Sequence, residues 1–197
     1  MSIPPLSDSL RSDGSRDSPL AQSLATLFEP SEILFTRVIP YLINHLSEYK
    51  SYKDLVDAST TRISQLPLTE QAQFIAGHPR IGEVSGLSAL SAAEQASKAT
   101  PPAVLARLAH LNVLYERRYP GLVYITYVAG RSRAEIVPEM EKALGTGSAP
   151  DGKEKEPPVE TIEPVEVGGG AWTEELNRAV VDVGRIAKGR LDKMGVE

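Results

Sequence analysis

One stretch of the chain, Leu122–Ala129 (Leu-Val-Tyr-Ile-Thr-Tyr-Val-Ala), has the β-branched and aromatic composition of a strand, and no other stretch does so convincingly. A lone strand has no ladder partner for its N–H and C=O groups. The segment is therefore expected to be buried helical or irregular chain, with tertiary context overriding its propensity. What remains to build a fold is helix. The sequence predicts an all-α, single-domain bundle of about eight helices with a disordered acidic insertion before the last one.

The helix signals are frequent and local. Ser18-Pro19 places an N-cap before a proline at the first helical position, and Leu20, Leu24, Leu27 and Phe28 make the apolar stripe of a short helix ending at Glu29-Pro30. Ser31 caps the next, with Leu34, Val38, Tyr41, Leu42 and His45 on one face, and Pro40 is expected to kink or split it. His45 reads as a packed core histidine. Residues 51–65 form a third helix (Tyr52, Leu55, Val56 and Ile63 inward), broken by Leu66-Pro67. Thr69 is placed to cap a fourth through Ala76, and Ser91–Lys98 is a short one. Thr100-Pro101-Pro102 opens a long helix to Tyr119, whose inward face includes Leu108, Leu111, Tyr115 and the amide of Asn112, which must find partners. Ser132-Arg133-Ala134-Glu135 is a capping box, and its helix stops at Gly145.

The last helix runs over Thr173–Met194 with Thr173 as N-cap. Stepping by four and three from Leu176 reaches Val180, Val183, Ala187, Arg190 and Met194. Arg190 thus lies on the apolar stripe. An arginine facing a core needs an anion, either a protein carboxylate or a substrate carboxylate held bidentately, unless it snorkels out near the helix end.

Residues 1–17, rich in Ser, Pro, Asp and Arg, read as a disordered tail ahead of one helical domain over 18–197. Within it, residues 146–170 hold four prolines, five glycines and six acids against two lysines, and read as a flexible surface insertion. That segment carries -4 of the net charge of -5, so the rest is nearly neutral with no basic stripe, which argues against nucleic acid as a partner. The absence of cysteine excludes disulfides and thiolate ligands. No apolar run reaches membrane-spanning length and no signal-peptide core is seen, so no membrane partner is expected.

Chemistry gathers around Phe74-Ile75-Ala76-Gly77-His78-Pro79 and the later Ser91-Ala92-Ala93-Glu94-Gln95. Gly77 is expected at the left-handed C′ position, with Pro79 forbidding continuation. His78 then sits just past a helix C-terminus, whose dipole favours the protonated imidazole. Ser91 and Glu94 make a capping box at a helix start, where unpaired N–H groups attract anions. An acid–base histidine beside such a start can do proton-transfer chemistry on a small carboxylate. The same residues also make a plain helix stop and a plain cap.

In order and spacing these features resemble the 2-oxo-4-hydroxy-4-carboxy-5-ureidoimidazoline (OHCU) decarboxylase family of urate breakdown. The resemblance runs through Leu27-Phe28-Glu29-Pro30-Ser31, His78-Pro79, Leu87-Ser88, Ser91-x-x-Glu94-Gln95, Leu111-Asn112-x-x-Tyr115, Gly130-Arg131-Ser132-Arg133-Ala134-Glu135-Ile136 and Arg190-Leu191. Arg80-Ile81-Gly82 departs from the family's usual run after His-Pro, as does Tyr119-Pro120-Gly121 before the apolar segment. The resemblance implies an all-α, cofactor-free, metal-free carboxy-lyase, usually a homodimer, that converts OHCU to (S)-allantoin and carbon dioxide. It implies His78 as general acid/base and Glu94 as a catalytic partner orienting the ureido and imidazoline nitrogens. Pro79, Ser91 and Gln95 would line the pocket, Val123, Tyr124, Ile125, Thr126 and Tyr127 would present backbone groups to substrate, and Arg190 would grip a carboxylate or ring oxygen. A cytoplasmic or peroxisomal location is implied, without a peroxisomal Ser-Lys-Leu address at the Gly195-Val196-Glu197 end. The alternatives are a decarboxylase of a related ureido or imidazoline acid, a non-catalytic helical interaction module and, more remotely, metal-assisted hydrolysis.

Overall fold

The structure is a computed structural model, and it describes residues 2–83, 100–145 and 158–196. Among these the fold is all-α, with no strand. The chain divides into two compact units, the first comprising residues up to His78 together with Leu176–Glu197, the second Pro79–Glu175. No described helix is long and apolar enough to cross a membrane.

The first unit opens with α1 (Leu6–Ser9) and α2 (Pro19–Phe28). Ser18 caps α2 by accepting from the Ala21 N–H at 3.3 Å, with Pro19 at the first helical position. Leu20, Leu24, Leu27 and Phe28 are all buried, each worth about 2 kcal/mol of burial. Residues 2–17 are not the disordered tail that their composition predicts. Ser9 is fully buried and bonds the Tyr52 hydroxyl at 2.7 Å, and that hydroxyl donates to the Pro4 carbonyl at 2.6 Å. Hydroxyls rather than apolar side chains anchor this stretch.

Pro40 does split the next helix. A π-helical turn over Leu34–Val38 precedes α3 (Ile39–Ile43). A proline ring has no N–H to offer the carbonyl four residues back and collides with it, so the turn ahead widens. His45, expected in the core, is instead half-exposed against Tyr41, with its Nδ1 3.1 Å from Glu48. Helix α4 (Tyr52–Ser64) starts at a capping box of Ser51 and Asp54. In α5 (Leu68–Ala76), Thr69 is not the cap; Pro67 holds that place without a side-chain bond. Helix α8 spans Gly170–Met194, so Thr173 lies inside it rather than at its cap, and from Leu176 on it belongs to the first unit. Gly184 lets α8 approach α4, since a Cβ there would fall 2.7 Å from the Thr60 hydroxyl.

The second unit is built on α6 (Pro102–Arg118) and α7 (Arg133–Leu144), joined by the Arg107–Glu141 ion pair at 2.7 Å. The Glu135 carboxylate reaches back to the Ser132 N–H at 2.7 Å, and Gly145 ends α7 in the left-handed region. Asn112 donates to the Ile81 carbonyl at 3.0 Å, which satisfies a turn. The expected flexible insertion, 146–170, is described from residue 158, and there it is docked. Val165 donates to the Arg118 carbonyl and Arg118 to the Glu163 carbonyl, both at 2.9 Å. The earlier part of the insertion lies outside the described residues.

Candidate active site

His78 follows the last turn of α5. Its N–H donates to the Ile75 carbonyl at 3.0 Å and the Gly77 N–H to the Phe74 carbonyl at 3.2 Å, so the helix end tightens. Gly77 is not left-handed as expected but right-handed, with φ -71°. Glycine gives room there, since a Cβ would sit tightly, 3.2 Å from the Ser31 Cβ. The imidazole is buried, 5.5 Å from the Phe74 ring, with Nδ1 3.3 Å from the Phe74 carbonyl oxygen. A neutral ring donating from Nδ1 to that carbonyl leaves Nε2 as the acceptor.

The helix dipole was expected to favour protonation of His78. Burial overrides it. Desolvation pulls the imidazole down from 6.5 to about 4; the charge of Glu29 works against this, and that of Arg190 adds to it. Hydrogen bonding to Phe74 and Ile75 offsets only part of the desolvation.

Arg190 is 3 % exposed and has found a protein anion: its Nη2 lies 2.7 Å from a Glu29 carboxylate oxygen. Its Nη1 donates to the Thr26 carbonyl at 3.0 Å and the Leu27 carbonyl at 3.2 Å, closing the last turn of α2. Glu29 was not among the residues singled out from sequence. It is buried, and its backbone takes φ 64° and ψ 146°, a region that side chains other than glycine enter at a cost of about 1–3 kcal/mol. A carboxylate directly after a helix C-terminus also opposes the dipole. The signal available in the sequence was the second of these, an acid at a helix stop, together with an arginine elsewhere demanding an anion.

The structure thus brings His78 and Arg190 into one charge cluster with Glu29, all in the first unit. Ser91, Glu94 and Gln95 lie outside the described residues. Pro79, half-buried, begins the second unit, which also holds the apolar segment. Val123, Tyr124, Ile125 and Thr126 are buried there and Tyr127 half-buried, in irregular chain without a ladder, one of the two forms anticipated. Glu139 braces this segment by accepting from Tyr124 at 2.8 Å, from Thr126 at 2.7 Å and from Arg131. Burial pushes the Glu139 carboxyl up, but these hydrogen bonds outweigh it and hold it below the usual range. Arg131 also donates to the Tyr127 carbonyl at 2.7 Å and the Val128 carbonyl at 2.9 Å, fixing the segment's end.

A family model described as OHCU decarboxylase matches residues 15–158, well over half of the chain. The chain belongs to the OHCU decarboxylase family. It is accordingly a carboxy-lyase that acts on a small molecule in urate degradation. No match was found among curated proteins or solved structures. His78 and Glu29 fall within the matched residues, while Arg190 falls beyond them.

Proposed function

We propose that the chain decarboxylates OHCU to (S)-allantoin and carbon dioxide, with His78 as the general acid/base. The observation that carries this reading is a buried, neutral imidazole whose Nδ1 is turned to the Phe74 carbonyl, next to the charges of Glu29 and Arg190. In the reaction Nε2 accepts the proton of the substrate hydroxyl. The bond to the carboxylate then breaks, carbon dioxide leaves, and the electron pair is delocalised into the ring's carbon–nitrogen double bond. The proton is returned to carbon on one face, which sets the configuration of the product.

A base that burial holds near pKa 4 gains proton affinity beside an anionic substrate. Arg190, its charge paired to Glu29 at 2.7 Å, meets the substrate carboxylate or a ring oxygen through guanidinium N–H groups rather than through net charge. Glu94, with Ser91, Gln95 and Pro79, orients the ureido and ring nitrogens, and Val123–Tyr127 present main-chain groups. A second proton, taken from water, neutralises the ring nitrogen that received the electron pair, so the carboxylate form of the substrate plus one proton gives allantoin and carbon dioxide. A homodimer belongs to the same reading and is checked by sedimentation.

The test generates OHCU in situ and follows circular dichroism for optically active allantoin, since uncatalysed decay gives a racemate. His78→Ala should lower the stereoselective rate by about 100-fold or more, with its far-ultraviolet spectrum unchanged. Parental turnover by that variant would remove His78 from the mechanism.

A further inference from the structure

Glu29 sits where the chain resists it. Its backbone is in a region suited to glycine, its side chain is buried, and its charge faces the carbonyl end of α2. A glycine followed by Pro30 would end the helix without strain. The side chain must therefore be doing something that the helix end does not need. What it touches is the Arg190 guanidinium, at 2.7 Å, while the same guanidinium spans the Thr26 and Leu27 carbonyls. Three fixed acceptors on a planar fork allow one orientation.

We infer that Glu29 is a positioning residue for the reaction: it locks the Arg190 guanidinium in one orientation beside His78 and cancels its charge there. This rests on His78 being the proton-transfer group. The charge argument has a direction. Among the described residues, the charged groups acting on the imidazole are Glu29 at the end of α2 and Arg190 on α8; on its own helix the groups are the carbonyls of Phe74 and Ile75. Arg190 alone would drive His78 toward a ring too weakly basic to take a proton. With Glu29 in place the pair is neutral and the ring keeps the affinity that turnover requires. The strained backbone is the means by which a residue at a helix stop aims its carboxylate inward.

The experiment uses the full chain and two kinds of readout. The first is the proton NMR titration of the His78 ring without substrate, in the parent, Glu29→Gln and Arg190→Gln. The midpoint should move down in Glu29→Gln and up toward 6.5 in Arg190→Gln. The second is turnover of OHCU, where Glu29→Gln should lower kcat about tenfold or more with a smaller change in KM. If Glu29→Gln does not fold, Glu29→Asp keeps the charge and shortens the reach. It should hold the parental midpoint while kcat falls.

Unmoved midpoints with kcat within about twofold of the parent, only thermal stability falling, would make the pair purely structural and overturn the inference. Parental kcat in Glu29→Asp would overturn the locking role. Full activity in His78→Ala with shifted midpoints would instead defeat the proposed function and leave the electrostatic coupling standing.

Discussion

Helices α2 and α7 both end on a residue with positive φ, and they do so for different reasons. At the end of α7 the residue is Gly145, with φ 70°, exposed, and with open space where a Cβ would be. At the end of α2 it is Glu29, with φ 64°, buried, and ion-paired to Arg190. The first is punctuation at no steric cost. The second spends backbone strain to hold a charge where the fold would not otherwise put one. By the inference drawn above the strained, charged helix end serves the reaction, whereas the unstrained glycine marks only a turn.

The sharpest way to break this contrast is to remove the partner of the strained residue. Arg190→Met takes the guanidinium away from the buried Glu29 carboxylate, and should cost about 3–5 kcal/mol in urea unfolding. Glu29→Leu combined with Arg190→Met should recover most of that loss, since a buried ion pair replaced by apolar side chains is often close to neutral. Turnover should stay lost in the double variant. If the double variant unfolds as easily as Arg190→Met alone, strain rather than the buried carboxylate charge controls this helix end.

A somewhat smaller effect is set by pH. The His78 ring titrates near 6.5 when unfolded and about 4 when folded. The unfolded chain therefore binds more protons in that window. The stability that His78 contributes is complete above about pH 6.5 and is lost as pH falls toward about 4, on the order of 3 kcal/mol. His78→Gln should flatten that part of the stability profile, measured by urea unfolding at pH 7 and pH 4.5. The smallest effect belongs to the plain helix end. Gly145→Ala should cost about 1 kcal/mol from the unfavourable φ, with turnover of OHCU unchanged. A change in turnover there would mean that the α7 end is more than punctuation.

Much of the fold was legible because helix starts and stops are decided within a few residues. Ser18-Pro19, Ser132 with Glu135, Pro40 and Gly145 all act as their sequence context says. Leu122–Ala129 entered no strand ladder for the reason the sequence supplies, the lack of a second strand. Where two local signals competed, local reading failed. Thr69 and Thr173 both looked like caps, but Pro67 and Gly170 start those helices one turn or less earlier. His45 and His78 were misjudged in opposite senses, the first being more exposed and the second less easily protonated than expected. Burial depends on what other parts of the chain bring to a side chain, and periodicity on one helix does not report it.

By itself the sequence determined an all-α chain, a histidine at a helix stop and an arginine on an apolar stripe in need of an anion. The tertiary structure alone decided which anion that is. It is Glu29, 161 residues earlier in the chain, in a backbone conformation that no local propensity favours. It also decided that desolvation outweighs the helix dipole at His78. The physical reason is range: caps and turns are settled by neighbours in sequence, while ion pairing and the loss of water are settled only by neighbours in space.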